Sequence, residues 1–256
     1  MRYLLFPLRL LFTIYTAVLF LAFLLISFPM VVVASFFGKI KGGNFILKIC
    51  RVWTDIQLVL CGIFHRNIYE VPHDTTKQYI FVVNHISYMD IPIMLQAVRK
   101  QNFRILGKYE ISKLPLFGLL YTYVVVLVDR ETASKRATSV KQLKSVIQKG
   151  ISVLLCPEGT FNETHKPLKA FYDGAFKIAI ETQTPIKPIL FLDTYDILNY
   201  NSMLSITPGR SRAIYLDEIS VEGLTVKDTS VLKDKVYKIM EERLIFYKAS
   251  WIKQER

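Results

Sequence analysis

From residue 10 to residue 38 the chain carries no charged side chain. At about 1.5 Å per helical residue these roughly 29 positions make a rod of over 40 Å, longer than the ~30 Å hydrocarbon core of a bilayer. A water-soluble fold rarely hides such a rod, so the run assigns the N-terminal part of the chain to a membrane. A cleaved signal peptide is the competing reading, but its apolar core is only about 7 to 15 residues and no clear small-residue cleavage site follows here. Pro29 interrupts the run and leaves two geometries open, a kinked spanning helix and a helix that stays in one leaflet. Arg2 and Arg9 precede the run, whereas Lys39, Lys41, Lys48 and Arg51 follow it. That excess predicts an inner-membrane protein whose C-terminal domain faces the cytoplasm.

Residues 44–64 differ in kind. Phe45, Ile49, Val52, Trp53, Ile56, Leu60 and Ile63 share one helical face, with Asn44, Lys48, Arg51 and Asp55 opposite. The pattern fits an interfacial amphipathic helix, and it equally fits a helix packed on a soluble core. After Pro72 short β-rich runs alternate with helical ones, the signature of an α/β domain with a largely parallel sheet flanked by helices. Strands are predicted at 78–83, 103–107, 122–128, 151–156, 186–192 and 212–216. Helices are predicted at 134–149, with Val140, Leu143, Val146 and Ile147 on one face, and at 227–247. Residues 1–71 are thus expected to form a membrane-embedded helical segment and residues 72–256 an α/β domain.

A net charge of +12 calls for a polyanionic partner: nucleic acid, an anionic bilayer or a phosphorylated substrate. No zinc-finger spacing or RNA-recognition signature occurs, and the apolar run favours the bilayer over nucleic acid. Cys50, Cys61 and Cys156 form no close pair and argue for a reducing compartment. His65, His73, His85 and His165 are too scattered for a ligand set, so no metal is expected.

The chemistry concentrates in Asn84-His85-Ile86-Ser87-Tyr88-Met89-Asp90-Ile91-Pro92, at the end of the apolar strand 78–83. Open α/β sheets carry their sites at strand ends. On one helix, His85 and Asp90 would stand roughly 140° apart, so they meet only across a turn. Ser87, Asp90 and Pro92 are helix-start residues that supply one. A carboxylate on one ring nitrogen fixes the tautomer and raises the basicity of the other, which then deprotonates an alcohol. The plainer reading makes Asp90 a helix cap and His85 a loop histidine.

Further blocks follow in order: Lys108-Tyr109-Glu110, Val128-Asp129-Arg130, Pro157-Glu158-Gly159-Thr160 and Pro185-Ile186-Lys187-Pro188-Ile189. With the His-x4-Asp block, and over residues 79–190, they resemble the 1-acylglycerol-3-phosphate acyltransferase (lysophosphatidic acid acyltransferase) family. The resemblance implies a catalytic dyad of His85 and Asp90, an acceptor phosphate on Arg130, and an acceptor site shaped by Glu158, Gly159 and Thr160. The residues read compatibly. Arg130 ends an apolar strand where a planar guanidinium suits phosphate, the alternative being an ion pair with Asp129 or Glu131. Gly159 permits close backbone approach, and Thr160 offers a hydroxyl. Lys108 is a second phosphate contact or a solvated lysine. Asn84, Ser87, Lys166 and Lys169 are weaker candidates. One position departs from the pattern: Phe161 stands where the family commonly has arginine, and Lys166 and Lys169 are the nearby cations.

The expected reaction moves an acyl group from acyl carrier protein or coenzyme A to the free hydroxyl of 1-acylglycerol-3-phosphate, giving phosphatidic acid, without cofactor or metal. Another lysophospholipid acceptor is the nearest alternative. A hydrolase lacks support, because no GxSxG elbow occurs and Cys156 ends an apolar strand. A basic membrane-anchored scaffold is the non-enzymatic alternative.

Overall fold

A computed structural model describes residues 6–128, 132–204 and 206–253. Its first element, α1 (Phe6–Ser35), runs unbroken through Pro29. A helical turn over Gly38–Gly42 reverses the chain into α2 (Gly43–Leu60). Glycine is required at that reversal, because a Cβ on Gly42 would stand 2.2 Å from the Ala34 carbonyl oxygen. Helix α1 buries a single stripe, Thr16, Leu24, Ser27, Val31 and Ala34, at helical spacing. The stripe lies against α2, where Phe20 meets Trp53 at 4.9 Å between ring centroids, and against α4 (Phe117–Val124), where Phe20 meets Phe117 at 5.9 Å. Leu11, Val18, Leu21, Leu25, Ile26 and Val33 remain exposed.

Helix α2 divides the apolar face expected of it. Ile49 and Trp53 are buried with Ile46, Leu47 and Leu58, while Phe45, Val52, Ile56 and Leu60 stay bare beside α1. The buried set matches the core-packing reading, and the bare set is the face that the interfacial reading requires. The helix ends at Leu60 rather than at 64, because Cys61 and Gly62 form a turn in which Gly62 takes φ +63°. Ile63 then opens β1 (Ile63–Tyr69), an edge strand paired parallel with β7 (Gly209–Tyr215). The sheet thus begins before the boundary expected after residue 71.

The remaining strands are β2 (Ile80–Val83), β3 (Phe103–Lys108), β4 (Val125–Val128), β5 (Ser152–Leu155) and β6 (Ile186–Phe191). Their order is β1-β7-β6-β2-β5-β3-β4, and every neighbouring pair is parallel except β6 with β7. Strand β4 is shorter than the expected 122–128, since residues 122–124 finish α4. Strands β2, β5 and β6 are buried on both faces, which explains their unbroken apolar runs. One face is covered by α1, α2, α4 and α3 (Asp90–Ala97), the other by α5 (Ala133–Gln148), α6 (Gly174–Thr182) and α8 (Thr229–Phe246). Arg104 on β3, 3% exposed, ties the helical pair to the sheet: it donates to the carbonyls of Lys39 and Ile40 and to Asn44 Oδ1. The C-terminal ends of β2, β3 and β5 lie along one edge, and that edge holds the candidate site.

Candidate active site

Strand β2 stops at Val83, and Asn84 fixes the chain there. Its side chain exchanges two hydrogen bonds with the backbone of Phe191 at the end of β6, donating at 3.0 Å and accepting at 2.8 Å. The next residues turn sharply. Ser87 N–H and Ile86 N–H both donate to Asp90 Oδ2, at 2.9 and 2.7 Å. Ser87 Oγ accepts from Met89 N–H and donates to the Leu198 carbonyl, holding the turn from its far side. The helix-start residues thus wrap the carboxylate back over the preceding chain. His85 Nδ1 meets the same Oδ2 at 2.8 Å. Asp90 is fully buried and the His85 side chain 19% exposed. Two backbone N–H groups already point at this oxygen, so Nδ1 takes the donor role towards it and Nε2 is left as the ring's acceptor. Among the described residues none hydrogen-bonds Nε2, which belongs to the partly exposed portion of the site.

Glu158 has a different environment from the one expected of an acceptor contact. It is fully buried, and its two oxygens accept from His85 N–H and Lys169 N–H, both at 2.8 Å. Burial pushes its carboxyl up to about 8, against the two N–H groups that favour the anion. It joins the dyad turn to the loop after β5. Asn162 N–H adds a second tie, donating to the His85 carbonyl at 2.8 Å. Gly159 between them takes φ +74°, a left-handed conformation that glycine adopts without strain.

Thr160 is exposed, and its hydroxyl accepts from Lys169 Nζ at 2.8 Å. Lys166 is exposed, and its carbonyl accepts from Asn162 and Trp251. Lys108 is exposed at the end of β3. Arg130 lies outside the described residues. The structure therefore gathers His85, Asp90, Glu158, Asn84 and Ser87 into one turn, with Thr160 and Lys169 paired on the adjoining loop. One participant, Asn162, was not foreseen from the sequence, nor was the place of a second, Phe161. Asn162 was readable only as an Asn-x-Thr turn, its Oδ1 accepting from Thr164 N–H and Oγ1. Phe161, noticed as a departure from the family pattern, lies against the dyad. Its ring is 4.4 Å from the His85 ring and 4.8 Å from that of Tyr88.

A buried carboxylate orients a histidine at the end of a parallel strand, with a glycine turn beside it, an arrangement with the chemistry to serve as a general base. Residues 63–192 match the sequence profile of the family described as Acyltransferase, and the chain belongs to that family. Among curated relatives, the 1-acyl-sn-glycerol-3-phosphate acyltransferase of Cocos nucifera is 32% identical over 56% of this chain and 46% of its own length. Its Helicobacter pylori namesake is 26% identical over 75% of this chain and 78% of its own. The alpha form of Mus musculus aligns over 56% of its length, so the chain spans about half of the coconut and mouse proteins it matches. The crystal structure of the Thermotoga maritima 1-acyl-sn-glycerophosphate (LPA) acyltransferase PlsC superposes with a TM-score of 0.75 at 22% identity. It covers 99% of this chain and all of that one, and so shares the fold.

Proposed function

We propose that the chain acylates the free hydroxyl of 1-acylglycerol-3-phosphate, taking the acyl group from acyl carrier protein or coenzyme A and giving phosphatidic acid. The observation that carries this reading is His85 Nδ1 fixed on a buried carboxylate with Nε2 unpartnered at the site. Nε2 takes the proton from the acceptor hydroxyl as its oxygen attacks the thioester carbonyl. The tetrahedral intermediate collapses with cleavage of the C–S bond, and the imidazolium returns the proton to the leaving thiolate. Arg130 is proposed to hold the acceptor phosphate. Glu158 is proposed to position His85 rather than to touch the acceptor, because both its oxygens are engaged by backbone N–H groups. The relatives named above support the acceptor. The apolar α1 supports a membrane location, and the lysines and arginines at both of its ends support a domain on the cytoplasmic side of the inner membrane.

Phe161 favours a second reading of the acceptor. An aromatic ring on the dyad, where the family commonly has arginine, suits a lysolipid whose head carries less charge than a phosphate monoester. Both readings are tested by incubating purified protein with acyl-coenzyme A or acyl carrier protein and a panel of lysolipids, with products read by mass spectrometry. Phosphatidic acid as the dominant product supports the first. A product formed only from acceptors lacking a terminal phosphate would replace it with the second, and no acyl product at all would reject both.

A further inference from the structure

Between β3 and α4 the chain makes a short helical turn, Tyr109–Lys113, and then a kink that leaves a set of apolar side chains uncovered. Tyr109, Leu114 and Leu116 are 40%, 52% and 38% exposed. At the kink Leu116 has φ 60° and ψ −55°, and Phe117 N–H donates back to the Pro115 carbonyl at 2.6 Å. This is a γ-turn with positive φ, a strained conformation for a leucine that persists only where its surroundings over-determine it. Leu116 at the kink and Leu114 two residues before it are both left exposed. Directly after the kink Phe117 packs on Phe20 of α1, itself 37% exposed, so the turn adjoins the α1 face that carries bare apolar side chains. Lys108 and Lys113 flank the patch, and the Lys113 ammonium lies 5.1 Å from the Tyr109 ring centroid. Exposed leucines on one turn with a tyrosine and two lysines are the chemistry of a bilayer boundary, where rings and ammonium groups sit at head-group level above buried aliphatic side chains.

We infer that the turn formed by residues 108–117 is a second membrane-contact element, which seats Leu114 and Leu116 among lipid acyl chains at the edge of the active site. The turn follows β3, whose C-terminal end lies on the same sheet edge as the dyad. It therefore sets the lipid surface between α1 and the place where a lysolipid hydroxyl must meet His85. The inference rests on the membrane reading of α1, and its test separates the two.

The chain has two tryptophans, Trp53 packed on α1 and Trp251 buried in the domain. A Leu114→Trp variant adds an exposed reporter at the turn, and Gln148→Trp adds one at the opposite sheet edge. Each full-length protein is bound to vesicles of phosphatidylcholine and phosphatidylglycerol with acyl chains brominated or not. The inference expects the added Leu114→Trp emission to shift to the blue and to lose most of its intensity on brominated lipid, with Gln148→Trp unchanged. Quenching of Trp53 without quenching at position 114 would overturn the turn as a contact while keeping α1 in the membrane. Quenching at neither site would remove the membrane reading and the inference together. A blue shift at position 114 in the absence of vesicles would mean that a second copy of the chain covers the turn, and would also overturn it.

Discussion

Three donors converge on a single carboxylate oxygen of Asp90, two from the turn and one from the imidazole, and on that geometry we propose that His85 and Asp90 act as one unit. His85→Ala removes the base, and the expected loss in kcat is on the order of 10²- to 10⁴-fold with the fold retained. Asp90→Asn keeps the shape but loses the charge and the fixed tautomer. Its expected loss of kcat has a similar magnitude, roughly 10²-fold or more, with KM for the acceptor little changed. Steady-state kinetics beside circular dichroism check both, and full turnover in a folded His85→Ala protein would end the assignment. Glu158 makes a separate claim. Its carboxyl, raised from the usual 4.5 to about 8, binds more protons folded than unfolded between those values. That contribution to stability is fully present below about pH 4.5 and is lost as pH rises towards 8, the reverse of an ordinary salt-bridged carboxylate. Urea midpoints across that interval should fall for the native chain relative to Glu158→Gln, and parallel profiles would contradict the raised value. The dyad was legible because its five-residue spacing forces a turn. The work of Glu158 was not, since sequence shows a carboxylate but not the two backbone N–H groups that a distant loop brings to it.

At the scale of elements, the helical pair depends on one close passage. A methyl on Gly42 would stand 2.2 Å from the Ala34 oxygen, and one on Gly43 would stand 2.5 Å from the Arg104 guanidinium and 2.7 Å from the Tyr123 oxygen. Gly42→Ala meets rigid backbone, so α1 must separate from α2 at an expected cost of about 1–3 kcal/mol. For a chain of this size that lowers Tm by roughly 2–4 °C per kcal/mol, read by thermal unfolding in detergent. An unchanged Tm would mean that the reversal has room the structure does not give it. The central strands were readable from sequence because burial on both faces makes them continuously apolar. Strand β1 was not: its Ile-Phe-His-Arg-Asn-Ile-Tyr mixes polar and apolar residues, and each residue pairs with one of β7 that lies 146 positions further on, as Ile63 does with Gly209. Arg104 was equally silent, since a charge inside a strand gives no hint that carbonyls released by a helical reversal will satisfy it.

Across the whole molecule the question is how α1 meets the bilayer, and the helices beside it answer through their charges. Phe20 packs on Trp53, and the Tyr15 hydroxyl donates to the Leu60 carbonyl at 3.3 Å, so the first half of α1 stands alongside the second half of α2. There Asp55 pairs with Arg99 at 2.9 Å, the side chains 37% and 51% exposed, and Lys48 is exposed nearer the start of α2. Standing α1 upright across the membrane would carry these groups into hydrocarbon at about 2.5–3.5 kcal/mol for each charge near the centre. Laid lengthwise, α1 immerses its bare face and the exposed apolar flank of α2, while Asp55, Arg99 and Lys48 stay at the aqueous side. We therefore expect α1 to occupy one leaflet, with both of its charged ends on the same side. Arg9→Cys and Lys41→Cys variants, added to sealed vesicles and treated with a membrane-impermeant maleimide, should both react fully before the vesicles are opened. Cys50 and Cys61 are buried and Cys156 is partly so, and the unsubstituted chain supplies the background. Reaction at one end only, with the other appearing after permeabilisation, would establish a spanning helix and would require the domain to pull away from α1.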